Sequence, residues 1–161
     1  MRNMDIYMSV GFALELLAAS PYHRQHKYGP YLDTEILTPL KLGQYRFYLA
    51  ENGAPTAMAT WAWLSAEVEA EVHATGRALA DDEWQCGNRL FFNDFIAPYD
   101  NLRAVMHDLT HVIFPNATAT SVRRHADGSV RQIRRWTGVN RRRTAAQAGI
   151  GGETAQVPPS D

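Results

Sequence analysis

A single cysteine, Cys86, is all the thiol that this 161-residue sequence contains. One thiol closes no internal disulfide and builds no cysteine-rich zinc site, which fits a reducing, cytoplasmic compartment. No run of about 18 apolar residues occurs, so no membrane-spanning helix is expected. The N-terminus lacks the basic start, apolar stretch and small-residue cleavage site of a secretory signal. Neither G-x-x-x-x-G-K-[ST] nor G-x-G-x-x-G is present, which removes support for phosphate-loop nucleotide chemistry. Internal repeats are also missing. What remains, with 45% hydrophobic and 20% charged residues, is the composition of one ordinary globular domain.

Charge is unevenly spread behind a net value of -1. Residues 1–120 carry 8 basic against 14 acidic side chains, whereas residues 121–161 carry 8 against 3. All eight of the latter cations are arginines, from Arg123 to Arg143. Such a patch attracts an acidic partner and speeds its encounter, an effect that salt weakens. Nucleic acid and an acidic protein both satisfy the charge count, as does a merely solvated strand surface.

Residues 1–9 read as a loose arm, and Val10–Ala19 as a largely buried helix punctuated by Ser20-Pro21. Gly29-Pro30 reads as a breaker, followed by a second helix over 31–42 interrupted or ended near Pro39. Tyr45–Ala50 and Pro55–Leu64 flank Glu51-Asn52-Gly53-Ala54, a hairpin signal resting on the tolerance of Asn and Gly for positive φ. Ser65 with Glu67, Glu69 and Glu71 predicts a capped helix start. Leu90–Ala97 predicts a strand ended by Pro98, and residues 101–114 a helix stopped by Pro115. A strand pair, Ala117–His125 and Ser129–Trp136, turns around Ala126-Asp127-Gly128. The order predicts an α/β or α+β class, a mixed sheet of about five strands flanked by helices. The domain is set at 1–143, with 144–161 a disordered tail.

Asp94 lies inside F-F-N-D-F-I-A, and a carboxylate there is costly to bury unless it is paired. Strand alternation can turn it to a solvated face; the other reading aims it at a histidine or arginine. His23 follows the helix-ending Ser20-Pro21, where a loop presents a side chain either to solvent or to a cleft. His23 with His26, or His107 with His111, has metal-ligand spacing, but H-D-L-T-H lacks the Glu of H-E-x-x-H and no third ligand is evident, so no metal is expected. Cys86 sits in a polar loop beside Trp84 with no local base to activate it.

Three stretches carry a resemblance: L-L-A-A-S-P-Y-H-R (16–24), Q-Y-R-F-Y-L-A-E-N-G-A-P-T-A-M-A-T-W-A-W-L-S (44–65) and D-D-E-W-Q-C-G-N-R-L-F-F-N-D-F-I-A-P-Y (81–99). In order and spacing, from about residue 10 to about residue 138, the chain resembles the RTX toxin-activating lysine acyltransferases. The resemblance implies a fold similar to the GNAT acetyltransferases, a cytoplasmic homodimer, and acyl transfer to ε-amines of internal protoxin lysines. The implied donor is acyl-acyl carrier protein, a 4'-phosphopantetheine thioester acting as co-substrate, with no bound cofactor. The family's essential histidine matches His23 and its essential aspartate Asp94; its motif serine falls on Ser20, and an arginine that supports the reacting thioester aligns with Arg123. Where relatives carry an asparagine some dozen residues after the histidine, this chain has Glu35 or a neighbour of it, and R-R-R-T with a Gly/Pro tail replaces a Lys-rich C-terminal region.

Elementary chemistry agrees with these implications. A lysine ammonium with pKa about 10.4 must lose a proton before it attacks a thioester, which suits a histidine base near neutrality. The segment A-P-Y-D-N-L-R after the predicted strand has no glycine, so it makes a poor diphosphate loop for coenzyme A. An acidic carrier protein needs a basic landing surface instead, which Arg124, Arg131, Arg134 and Arg135 are expected to supply. Two other readings stay open here: a GNAT-like N-acyltransferase for another amine or protein, and an arginine-rich binding module, although no nucleic-acid motif is present.

Overall fold

The first helix, α1 (Ile6–Ala19), starts at Asp5, whose carboxylate accepts the Tyr7 N–H at 3.2 Å and satisfies one free amide of the first turn. In this computed structural model, which describes residues 5–150, residues 6–9 of the expected arm are therefore helical. Residues 1–4 lie outside the described residues. Ala13, Leu16 and Leu17, at helical spacing, are fully buried. The helix stops at Ser20 because Pro21 brings no N–H to continue the ladder.

Gly29-Pro30 does not break the chain. Both residues sit in α2 (Tyr28–Tyr31), where Pro30 falls in the first turn and its missing N–H has no intrahelical partner to lose. A wide π-helical turn, Leu32–Leu37, then leads into α3 (Thr38–Leu42). Pro39 neither donates to an α-helical ladder nor tolerates the carbonyl four residues earlier, and the widened turn precedes it. The predicted interruption near Pro39 is thus a change of helical pitch, and Gly43 at φ 71° ends the segment.

Strands β1 (Tyr45–Leu49) and β2 (Pro55–Leu64) form the predicted hairpin. Its turn takes positive φ at Gly53 (83°) and not at Asn52, which instead caps the turn by accepting the Ala54 N–H at 3.0 Å. Ser65 caps α4 (Ala66–Thr75) by accepting the Val68 N–H. After β3 (Arg89–Ile96) come α5 (Leu102–Asp108) and a π-helical extension, Leu109–Ile113, then β4 (Thr118–Arg124) and β5 (Val130–Thr137). The last helix, α6 (Val139–Ile150), crosses the boundary set at 143, so residues 144–150 are helical; the rest of the expected tail lies outside the described residues.

The sheet runs β1-β2-β3-β4-β5, antiparallel except for β3 with β4. The predicted five-stranded mixed sheet flanked by helices is what forms. On one face Ala57, Ala59, Trp61 and Phe92 pack against Val105, Met106 and Leu109 of the α5 segment. On the other, Met58 and Ile96 pack against α1, Ile36 and Leu40, while Ala62, Leu64 and Phe91 meet Val72, Leu79 and Trp84. Among the described residues no helix is long and apolar enough to cross a membrane.

The pairing of β2 with β3 has one irregularity. Trp61 pairs with Phe92 and Thr60 with Asp94, so Asn93 has no opposite residue. This bulge inserts a residue into β3, resets its alternation and bends it. It also lies just past the points where β3 and β4 pair, Leu90↔Ala119 and Phe91↔Thr120. Beyond them the two strands part.

Candidate active site

The end of α1 drops His23 into a single 3₁₀ turn, His23–Gln25, where it is 4% exposed. Simple alternation would put Asp94 on the same face as Phe92. The Asn93 bulge turns it to the opposite face, which Ile96 shares and which α1 and the α2–α3 segment cover. Residues far apart in sequence meet there. His23 Nε2 lies 3.0 Å and 3.2 Å from the two Asp94 carboxylate oxygens, and His23 Nδ1 lies 2.6 Å from Ser20 Oγ. Tyr31, from α2, donates its hydroxyl hydrogen to Asp94 Oδ2.

These contacts assign the protons. An ionised carboxylate only accepts, so Nε2 carries the hydrogen that faces Asp94. In the neutral ring Nδ1 then holds the lone pair and Ser20 donates to it. Burial by itself favours neutral imidazole, but the charge and hydrogen bond of Asp94 outweigh it and raise the His23 pKa above its ordinary value. Burial likewise pushes the Asp94 carboxyl upward. The His23 charge, together with hydrogen bonds from His23, Tyr31 and the Phe95 amide, more than reverses this and holds it below the usual range. Tyr31 is raised by burial and by the adjacent carboxylate, so it stays a donor.

Around this core lie groups that the sequence pattern did not assign to it. His26 stacks on Tyr31 at 4.9 Å, and Tyr22 sets its ring edge-on to His23 at 5.0 Å. Glu35, in the π turn, accepts the Asn93 side-chain amide at 2.7 Å; burial raises its pKa, the Asn93 bond opposes this and the Asp94 charge adds to it. Glu35 thus holds the bulge that aims Asp94. Pro30 in the first-turn position of a helix is the sequence signal that brings Tyr31 to the site.

Two cavities meet here. The larger, about 540 Å³, fills the split between β3 and β4 and is lined by Ser20, His23 and Asp94, by apolar side chains of β3 and α5, and by Arg123, Arg131 and Arg134. The smaller, about 360 Å³, lies against His26, Tyr31 and Glu35. Tyr22, Asn93, Asp94 and Arg124 border both.

The arginines expected to act together divide. Arg124 Nε donates to the Gly76 carbonyl at 2.6 Å, tying its guanidinium to the end of α4. Arg135 pairs with Thr120, whose side chain bonds α4 through Glu69 and His73, so Arg135 faces away from the larger cavity while Arg134 faces it. Arg131 and Arg134 of the expected docking set line that cleft with Arg123, and Arg134 Nε also donates to Gln132 Oε1 at 3.4 Å. Cys86 is exposed, its sulfur accepts the Ser65 N–H, and it lines neither cavity. His107 and His111 stack at 3.9 Å, with Arg142 donating to His111. Among the described residues no three His, Cys, Asp or Glu side chains are grouped to hold a metal ion.

Known proteins share this sequence pattern. Residues 3–137 match the model of the RTX toxin acyltransferase family, HlyC. The chain is 29% identical over 110 residues to the lysine-acyltransferase RtxC of Vibrio cholerae, covering 68% of this chain and 71% of that protein. It is 30% identical over 136 residues to CyaC of Bordetella bronchiseptica, a protein-lysine palmitoyltransferase, covering 83% and 72%. It is also 30% identical over 138 residues to LtxC of Aggregatibacter actinomycetemcomitans, a leukotoxin-activating lysine-acyltransferase, covering 86% and 80%.

Proposed function

This chain belongs to the RTX toxin acyltransferase family and is an acyltransferase, and we propose on that basis that it moves a fatty acyl group from acyl-acyl carrier protein to lysine ε-amines of an RTX protoxin. The observation that carries the reading is the unbroken series Ser20–His23–Asp94–Tyr31 opening into an arginine-walled cleft. The proposal includes a cytoplasmic enzyme acting as a homodimer, as the family resemblance implies.

In this mechanism the thioester lies in the split between β3 and β4. The Ser20 hydroxyl passes its proton to His23 Nδ1 and takes one from the lysine ammonium, so the imidazole acts as base through a relay. The freed amine attacks the carbonyl carbon, forming a C–N bond and a tetrahedral oxyanion. Arg123, on the wall of the same cleft, faces that developing charge; one such donor is typically worth about 3–4 kcal/mol. Collapse breaks the C–S bond. The second proton of the attacking nitrogen ends on the carrier thiol, and the imidazolium releases its own to water. Asp94 fixes the tautomer and stabilises the imidazolium. Arg131 and Arg134 receive the acidic carrier, with rate falling as salt rises.

The direct test incubates the protein with palmitoyl-acyl carrier protein and an RTX protoxin. The expected result is a protoxin mass gain of one fatty acyl group per modified lysine. Transfer from coenzyme A thioesters that ignores the carrier protein would instead mark an N-acyltransferase of another substrate class.

The 2.6 Å contact between Ser20 and His23 favours one second reading, transfer through a Ser20 ester. The two differ before any lysine is added. Direct attack predicts no acyl adduct on the enzyme by intact mass spectrometry, and a Ser20→Ala variant slowed by roughly tenfold to a hundredfold as water replaces the relay hydroxyl. An adduct on Ser20, with no turnover in Ser20→Ala, would establish the ester route.

A further inference from the structure

The larger cleft has two chemically distinct walls, and the mechanism uses only one of them. Besides Arg123, Arg131 and Arg134, the cleft has an apolar wall from β3 and α5. Leu102 and Met106 are four residues apart on α5 and so share one helical face. Leu102 is 42% exposed, while Met106 is 8% exposed and packs with Phe92 in the core. Phe95 and Trp136 meet edge to face at 6.5 Å and line the same space. Trp136 has its polar atom satisfied, Nε1 donating to Ser121 Oγ at 2.9 Å, so it offers the cleft a hydrocarbon surface.

We infer that this wall binds the acyl chain of the donor, and that Met106 closes its far end and sets the preferred chain length. The inference rests on the acyltransferase reading. Three features select a single unbranched chain as occupant. The cavity is continuous with His23, so a thioester at the imidazole has its chain within the same space. Its arginines come from β4 and β5 and most of its apolar side chains from β3 and α5, an asymmetry that suits an acyl group bonded to a pantetheine arm on an acidic carrier. The wall grades from open at Leu102 to closed at Met106, which gives a chain an entrance and a stop. Methionine's unbranched, adaptable side chain makes a soft floor that a stiffer residue would harden.

The test measures binding of octanoyl-pantetheine and palmitoyl-pantetheine by calorimetry, with no lysine substrate present. Wild-type protein is expected to bind the palmitoyl probe at least about tenfold more tightly, since apolar pockets discriminate by the methylenes they enclose. Met106→Trp is expected to bring the ratio close to unity by raising the floor. Because Met106 also serves the core, Leu102→Asp at the exposed end, which chains of either length pass, is the second variant, and it is expected to weaken both probes by about tenfold. Equal affinities in the wild type, or unchanged affinities for both probes in Leu102→Asp, would overturn the inference. Unchanged affinities are also what an apolar residue of the protein substrate as occupant would give. Length-dependent binding without transfer to a protoxin would leave this site standing and remove the functional reading instead.

Discussion

His23→Ala is expected to lower kcat/KM for lysine acylation by about 10³-fold at neutral pH, within the range that a positioned base contributes. The magnitude comes from the acceptor: with a pKa of about 10.4, roughly one lysine in 2,500 is already deprotonated at pH 7. A variant without a base must rely on that fraction. The deficit also has a shape. In the wild type the imidazole must be neutral to accept a proton, so its rate falls by about tenfold per pH unit below its pKa; the variant's free-amine fraction falls as steeply at every pH below about 10.4, so the gap is constant in acid and closes as pH rises toward the lysine pKa. Removing His23 takes a partner from Asp94, which keeps Tyr31 and the Phe95 amide. Far-UV circular dichroism and a thermal melt accompany the kinetics so that loss of fold is not read as loss of base. Normal acylation by His23→Ala would remove the imidazole from the mechanism.

The parts of this site that are legible in sequence, and those that are not, divide along a physical line. The hairpin, the Ser65 cap and the β4–β5 turn are local, with turn residues and caps acting within a few positions, and all three form as expected. The face to which Asp94 points is not local. It depends on the Asn93 bulge, which is stabilised by Glu35 from a helix 58 positions away, and no alternation pattern displays it. Tyr31 is hidden when Gly29-Pro30 is read as a breaker, because proline is equally at home in a helix's first turn. The separation of Arg134 from Arg135, by contrast, is available from strand geometry alone: neighbours on a regularly paired strand face opposite sides, whereas Arg123 and Arg124 straddle an irregularity and both border the cleft.

Asp94→Asn is expected to reduce kcat by about 10² to 10³-fold, and the reason is the tautomer. The carboxylate can only accept, so it keeps the hydrogen on Nε2 and the lone pair on Nδ1, where Ser20 stands. A carboxamide can also donate, and a donated hydrogen at Nε2 moves the ring's own proton to Nδ1 and blocks the relay. The residual activity carries its own signature. Burial alone lowers the imidazole pKa and Asp94 raises it, so the variant's rising pH limb moves to lower pH even as its plateau falls. Stability depends on the same pair. The raised His23 pKa contributes below about pH 6.5 and is lost as pH climbs through the folded value; the lowered Asp94 pKa contributes above about pH 4 and is lost as pH falls through its own. The interaction is therefore complete between those limits, and the gap in melting temperature between wild type and Asp94→Asn is expected to peak near pH 5–6 and narrow on either side. A gap independent of pH, with an unmoved kinetic limb, would mean that Asp94 shapes the strand without acting on the imidazole.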